Sequence, residues 1–139
     1  MKTSTIASSS STTTVTQLQQ EIRAFVEARD WQQFHSPRNL AAAVSVEAGE
    51  LLGHFRWSDA AESVAIVQNP AKREAIAHEV ADVLILTLEL AEVCGFDVAT
   101  IIREKLELNS RRYPVEQARG RSEKYTELPG AAGGAVQAS

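Results

Sequence analysis

The acidic residues Glu47/Glu50 and Glu79/Asp82 form two pairs spaced three residues apart, and such pairs on helices are candidate cation ligands. Spacing alone does not single them out, because Glu89/Glu92 and Glu104/Glu107 repeat it. Their position beside the apolar stripe does. At roughly 100° per residue, with Val44 at zero, the stripe of that segment spans about −40° to +80°. On the same scale Glu47 projects near about −60° and Glu50 near about −120°. With Ile76 at zero, Glu79 and Asp82 take the same two directions. Leu86, Leu90 and Val93 lie on the side of these two acids. Glu89 and Glu92 are placed farther round the helix and Glu107 well away from its own stripe, so those pairs are expected to be solvated surface.

Four carboxylates meeting at a partly buried site repel one another, and bound cations make such a site tolerable. Oxygen donors without a Cys or His majority suit a hard cation, Mg²⁺ first and Mn²⁺ as a substitute. Two solvated helix flanks are the alternative that the geometry leaves open. His54 projects between the acids, one turn beyond Glu50. The paired Glu-x-x-His spacing of di-iron bundles is missing, so His54 is not expected to be a ligand.

Two further groups of residues have chemical potential. Lys105, Asn109 and Arg112 continue a helical stripe begun by Val98, Ile101 and Ile102, and Lys124 and Tyr125 follow that helix. Basic and amide groups on an inward face suit an anion such as phosphate, with Arg providing a forked donor. Salt bridges with snorkelling stems are the competing reading. Trp31, Phe34, His35 and Trp57 fall at helix ends, where aromatic faces can stack on a nucleobase and His can read its edge. Each by itself also suits a core or rim position.

An all-α domain positions these residues. Helices are predicted over about 16–30, 37–57, from Asn69-Pro70 to before Gly95, and 98–112. Ser36 with Pro37, Asn69 with Pro70, and Asp97 mark starts; Gly95 and Pro114 mark stops. Leu18, Ile22, Phe25 and Val26 form the first apolar stripe, and Leu40, Val44, Ala48, Leu51, Leu52 and Phe55 the second. From Val80 to Ala91 the third helix is apolar in nearly every direction, and such a helix must be buried all round. Four helices in one subunit struggle to do that, so a homo-oligomer is expected; coverage by the N-terminal helix or tail is the alternative.

The 139 residues suffice for one domain with a modest core, read as 15–128. Segment 1–14, rich in Ser and Thr, and the small-residue tail 129–139 are expected to be flexible. A net charge of −4 argues against DNA or RNA binding through phosphate neutralisation. The single cysteine, Cys94, excludes an intrachain disulfide and suits a reducing compartment. No apolar run has the ~18–20 residues of a bilayer span. The start lacks a secretory apolar core, and the Arg of a transit peptide is missing before Arg23. A cytoplasmic protein without a membrane partner is expected.

Glu47-x-x-Glu50 followed by Glu79-x-x-Asp82 resembles the signature of the MazG-like all-α nucleoside triphosphate pyrophosphohydrolases. RDWQQFHSPRNL, GELLGHFRW, EVADVLI and NSRRYPVEQARGRSEKYTELP look like its dCTP pyrophosphatase branch, and the likeness covers roughly 17–129. The resemblance implies a helical bundle of about four main helices, assembled as a dimer or tetramer. It implies hydrolysis of a nucleoside triphosphate to monophosphate and pyrophosphate, as house-cleaning of the nucleotide pool. Glu47, Glu50, Glu79 and Asp82 would hold Mg²⁺, and Trp31, His35 and Trp57 would contact the base. In that branch a His and a Tyr also line the nucleotide site where this chain has Ile22 and Leu86. The expected substrate is dCTP or a modified cytosine nucleotide. Another specificity, such as dUTP, and a non-catalytic helical oligomer that senses nucleotide or metal are the alternatives.

Overall fold

Local capping signals set most helix starts. In a computed structural model, which describes residues 12–129, Thr14 and Gln17 close a reciprocal capping box at the start of α1, Val15–Glu27. Ser36 accepts from the Asn39 N–H and Pro37 opens α2, Pro37–Gly53. Asp59 and Glu62 form a second capping box for α3, Ala60–Gln68. Asn69 caps α4, Pro70–Val93, through the N–H groups of Ala71 and Lys72. Asp97 caps α5, Val98–Arg112, and the Thr100 side chain and N–H hold its carboxyl below the usual range. A short α6, Val115–Ala118, follows Pro114. Single 3-10 turns span Gln32–Phe34 and Tyr125–Glu127. No strand occurs among the described residues.

These elements refine the four helices expected from sequence. The predicted bounds of α5 hold, while α1 stops at Glu27 instead of 30, before Asp30 with its positive φ of 53°. α2 ends at Gly53 instead of 57, giving way to turns at 54–57. α3 was not expected at all. The predicted flexible segments 1–14 and 129–139 lie outside the described residues apart from 12–14 and 129.

The chain divides into two units, Met1–Phe96 and Asp97–Ser139. In the first, α4 is the central helix: it packs most extensively on α2 and also meets α3 and α1. Val26, Leu40 and Ala91 are its buried apolar residues. Val80, Leu84, Ile85 and Val93 on α4 remain exposed, as do Leu52 on α2 and Val64 on α3. In the second unit, Tyr113 and Tyr125 meet edge to face at 5.9 Å and the Arg112 guanidinium lies 4.9 Å from the Tyr125 ring centre. No helix among the described residues is long and apolar enough to cross a membrane.

Candidate functional site

The packing of α2 on α4 brings three of the four predicted acids together. Glu47 and Glu50, three residues apart on α2, and Glu79 on α4 each offer one oxygen within 4.8 Å of the other two. Asp82, one turn beyond Glu79, is close enough for its charge to act on Glu47. Glu47 and Glu79 are half-buried, whereas Glu50 and Asp82 are exposed. Desolvation, then the charges of Glu50, Asp82 and Glu79, push the Glu47 carboxyl above its ordinary value of 4.5. Carboxylates gathered this closely, with the proton affinity of Glu47 raised by its neighbours, are a donor set suited to a hard divalent cation, which supplies the missing positive charge. His54 Nε2 lies 3.9 Å from Glu79 Oε1, too far for a hydrogen bond.

This electrostatic arrangement has a measurable consequence for the metal-free protein. A carboxyl whose affinity for protons is higher when folded contributes stability that is fully present below its unfolded value. That contribution is lost as pH rises through the raised folded value. Glu47→Gln should therefore match wild type near pH 4 and become progressively more stable than it as pH rises beyond 4.5. Thermal melts of chelator-treated protein across pH check this; a constant difference at all pH values would contradict it.

Beside the acids lies a cavity of about 580 Å³ with largely apolar walls. Glu21, Ile22, Phe25 and Val26 line it from α1, Trp31 and His35 from the 3-10 turn, and Asp82, Ile85, Leu86 and Glu89 from α4. Trp31 packs edge-on to Phe25 at 5.9 Å, and the Arg29 guanidinium covers the Phe25 ring at 3.5 Å. His35 Nδ1 and Glu89 Oε1 are 3.2 Å apart. Asp82 borders both the acid cluster and the cavity, so a ligand could occupy the two together.

Phe34 is exposed and does not line the cavity. Trp57 is 87% exposed beside Arg56 and is likewise absent from the cavity wall of this chain. Lys105, Asn109 and Arg112 lie on α5, with Lys124 and Tyr125 farther along the second unit; only Asn109 and Tyr125 are half-buried. Glu107 is exposed and paired with Arg111, as expected of surface. Glu92 pairs with Arg23. Glu89 corrects the sequence reading: it is only 6% exposed, not solvated surface, because α1 and the His35 turn cover that side of α4.

A family model described as MazG-like matches residues 42–128. The chain belongs to the MazG-like family. Human dCTP pyrophosphatase 1 is 44% identical over 105 residues, 76% of this chain and 62% of that protein. This MazG-like chain therefore spans less than two thirds of the length of the curated dCTP pyrophosphatases it matches. A dATP/dGTP diphosphohydrolase of Cyanophage S-2L is 35% identical over 99 residues, 71% of this chain and 76% of its own. The crystal structure of a pyrophosphatase from Archaeoglobus fulgidus superposes with a TM-score of 0.68 at 33% identity, covering 71% of this chain and 91% of that one.

Proposed function

We propose that this MazG-like protein is an enzyme, a Mg²⁺-dependent nucleoside triphosphate pyrophosphohydrolase acting on dCTP or a modified cytosine nucleotide. The observation that carries the reading is the cluster of Glu47, Glu50 and Glu79 on α2 and α4, next to Asp82, whose charge acts on Glu47 and which also lines the aromatic cavity. The reaction adds one water and breaks the bond joining the α phosphate to the leaving pyrophosphate. Glu47, Glu50, Glu79 and Asp82 would hold the metal, with Mn²⁺ as a substitute. When bound, the cation neutralises phosphate charge and makes water a better nucleophile. Glu50, exposed at the edge of the cluster, would orient the attacking water. Trp31 would stack on the base and His35 would contact its polar edge. Lys105, Asn109, Arg112 and Lys124 are the candidate phosphate ligands of the second unit, with Tyr125 beside Arg112.

Ile22 and Leu86 both line the cavity, so its wall is apolar at the two positions where the resemblance implies His and Tyr. The similarity to a dATP/dGTP diphosphohydrolase keeps purine triphosphates as the second reading. The apolar residues left exposed on α2, α3 and α4 support assembly into a homo-oligomer, a dimer or tetramer. Trp57 would then meet substrate only from another copy. The protein would act in the cytoplasm, without nucleic-acid or membrane partners.

The test is pyrophosphate release from canonical and modified nucleoside triphosphates with Mg²⁺, compared as kcat/KM. A cytosine nucleotide is expected at the top of the series. Binding of a non-hydrolysable analogue with no turnover of any nucleotide would establish a sensor instead of an enzyme.

A further inference from the structure

The most deeply covered charged residue of the described chain is Glu89, which faces a cavity instead of a counter-charge on a neighbouring helix. It is 6% exposed, and one of its oxygens, Oε1, is 3.2 Å from His35 Nδ1. A carboxylate only accepts hydrogen bonds, so in this pair the imidazole Nδ1–H donates to Glu89. Among the described residues no hydrogen bond reaches the second oxygen, Oε2, which therefore keeps access to solvent. Such an acceptor is costly to leave without a donor once a ligand excludes that water. Phe25, Trp31 and Leu86 supply apolar wall on which a flat ring can lie.

We propose that Glu89 determines base specificity: it accepts a hydrogen bond from an exocyclic amino group and selects amino-bearing bases over keto pyrimidines. This rests on the reading of the cavity as the base end of a nucleotide site. Cytosine can direct one N–H of its 4-amino group at Oε2. Uracil offers one ring N–H flanked by two carbonyl oxygens, so approaching the carboxylate sets those oxygens against acceptors. An unmet acceptor and an acceptor–acceptor contact amount to about 10- to 100-fold in affinity. Glu89 also holds the His35 ring through Nδ1, so its removal should change how His35 is presented to the cavity.

The experiment uses the full chain and two ligands that need no hydrolysis, dCMP and dUMP, with binding followed by calorimetry. Wild type should bind dCMP about 10- to 100-fold more tightly. Glu89→Gln presents both an oxygen and an amide N–H at the same place, and the preference should shrink to within a few-fold, chiefly through tighter dUMP binding. Glu89→Ala should also lose the preference. Equal affinities in wild type overturn the proposal whether or not any variant folds. A folded Glu89→Gln protein that retains the full preference overturns it too. Pyrophosphate release is scored separately: a wild type that prefers dCMP but hydrolyses no triphosphate refutes the enzyme reading while leaving Glu89 as the base reader.

Discussion

Glu79→Gln is expected to lower kcat/KM for the best triphosphate by about 10³-fold or more while leaving the fold intact. Glutamine keeps the size and one oxygen of the side chain but removes its charge, and with it a quarter of the negative charge of the four acids. Glu79 is the α4 member of the cluster in which each acid offers an oxygen within 4.8 Å of the others, so its loss weakens the bridge between α2 and α4. Stabilisation of phosphate charge by a correctly held cation amounts to several kcal/mol, about 10³-fold in rate. Stability should move the other way. Without metal, one fewer like charge faces Glu47, so the melting temperature of chelated Glu79→Gln should equal or exceed that of wild type. Added Mg²⁺ should raise the melting temperature of wild type and have much less effect on the variant. Glu107→Gln, at an exposed i,i+4 pair with Arg111, provides the comparison and should leave turnover unchanged. Wild-type turnover in Glu79→Gln would remove the cluster from the mechanism.

The parts legible in the sequence are those written in local chemistry. Ser36-Pro37, Asn69-Pro70 and Asp97 mark helix starts that the structure places where they were read, since a cap needs only its own next three residues. Asp59 and Glu62 write a capping box just as clear, but the nine residues of α3 carry no distinct apolar stripe to mark a helix after it. The clustering of Glu47, Glu50 and Glu79 followed from projecting each helix against its own core. Glu89 was misplaced although the signal was present: it stands seven residues after Asp82, only about 20° away in projection. A single-stripe projection treats everything away from the stripe as solvent. α4 has neighbours on several sides, and only tertiary packing reveals that α1 and the His35 turn cover the Glu89 side. Trp57 shows the opposite limit, since an aromatic residue next to a helix end need not reach the cavity of its own chain.

Leu40 and Leu52 lie on the same helix, and truncating each to alanine should have very different consequences. Leu40 is 2% exposed and is the largest fully buried side chain among the described residues, seven positions before Glu47 on α2. Leu40→Ala leaves a cavity where α2 must be held, and should destabilise the protein by about 2–5 kcal/mol. Because the same helix carries Glu47 and Glu50, Mg²⁺-induced stabilisation should weaken alongside the fall in melting temperature. Leu52 is 66% exposed in the single chain, so an isolated subunit should lose no more than about 0.5 kcal/mol on Leu52→Ala. A homo-oligomer that covers this face changes that expectation. Leu52 would then lose contacts with another copy, and the cost would grow with the fraction assembled, making the melting temperature of the variant more dependent on protein concentration than that of wild type. Denaturation of both variants at several concentrations, with sedimentation to count subunits, separates the two roles. A Leu40→Ala loss below 1 kcal/mol would contradict the packing described for α2. A Leu52→Ala effect that is small and independent of concentration would place the interface, if the protein assembles, on some face other than this one.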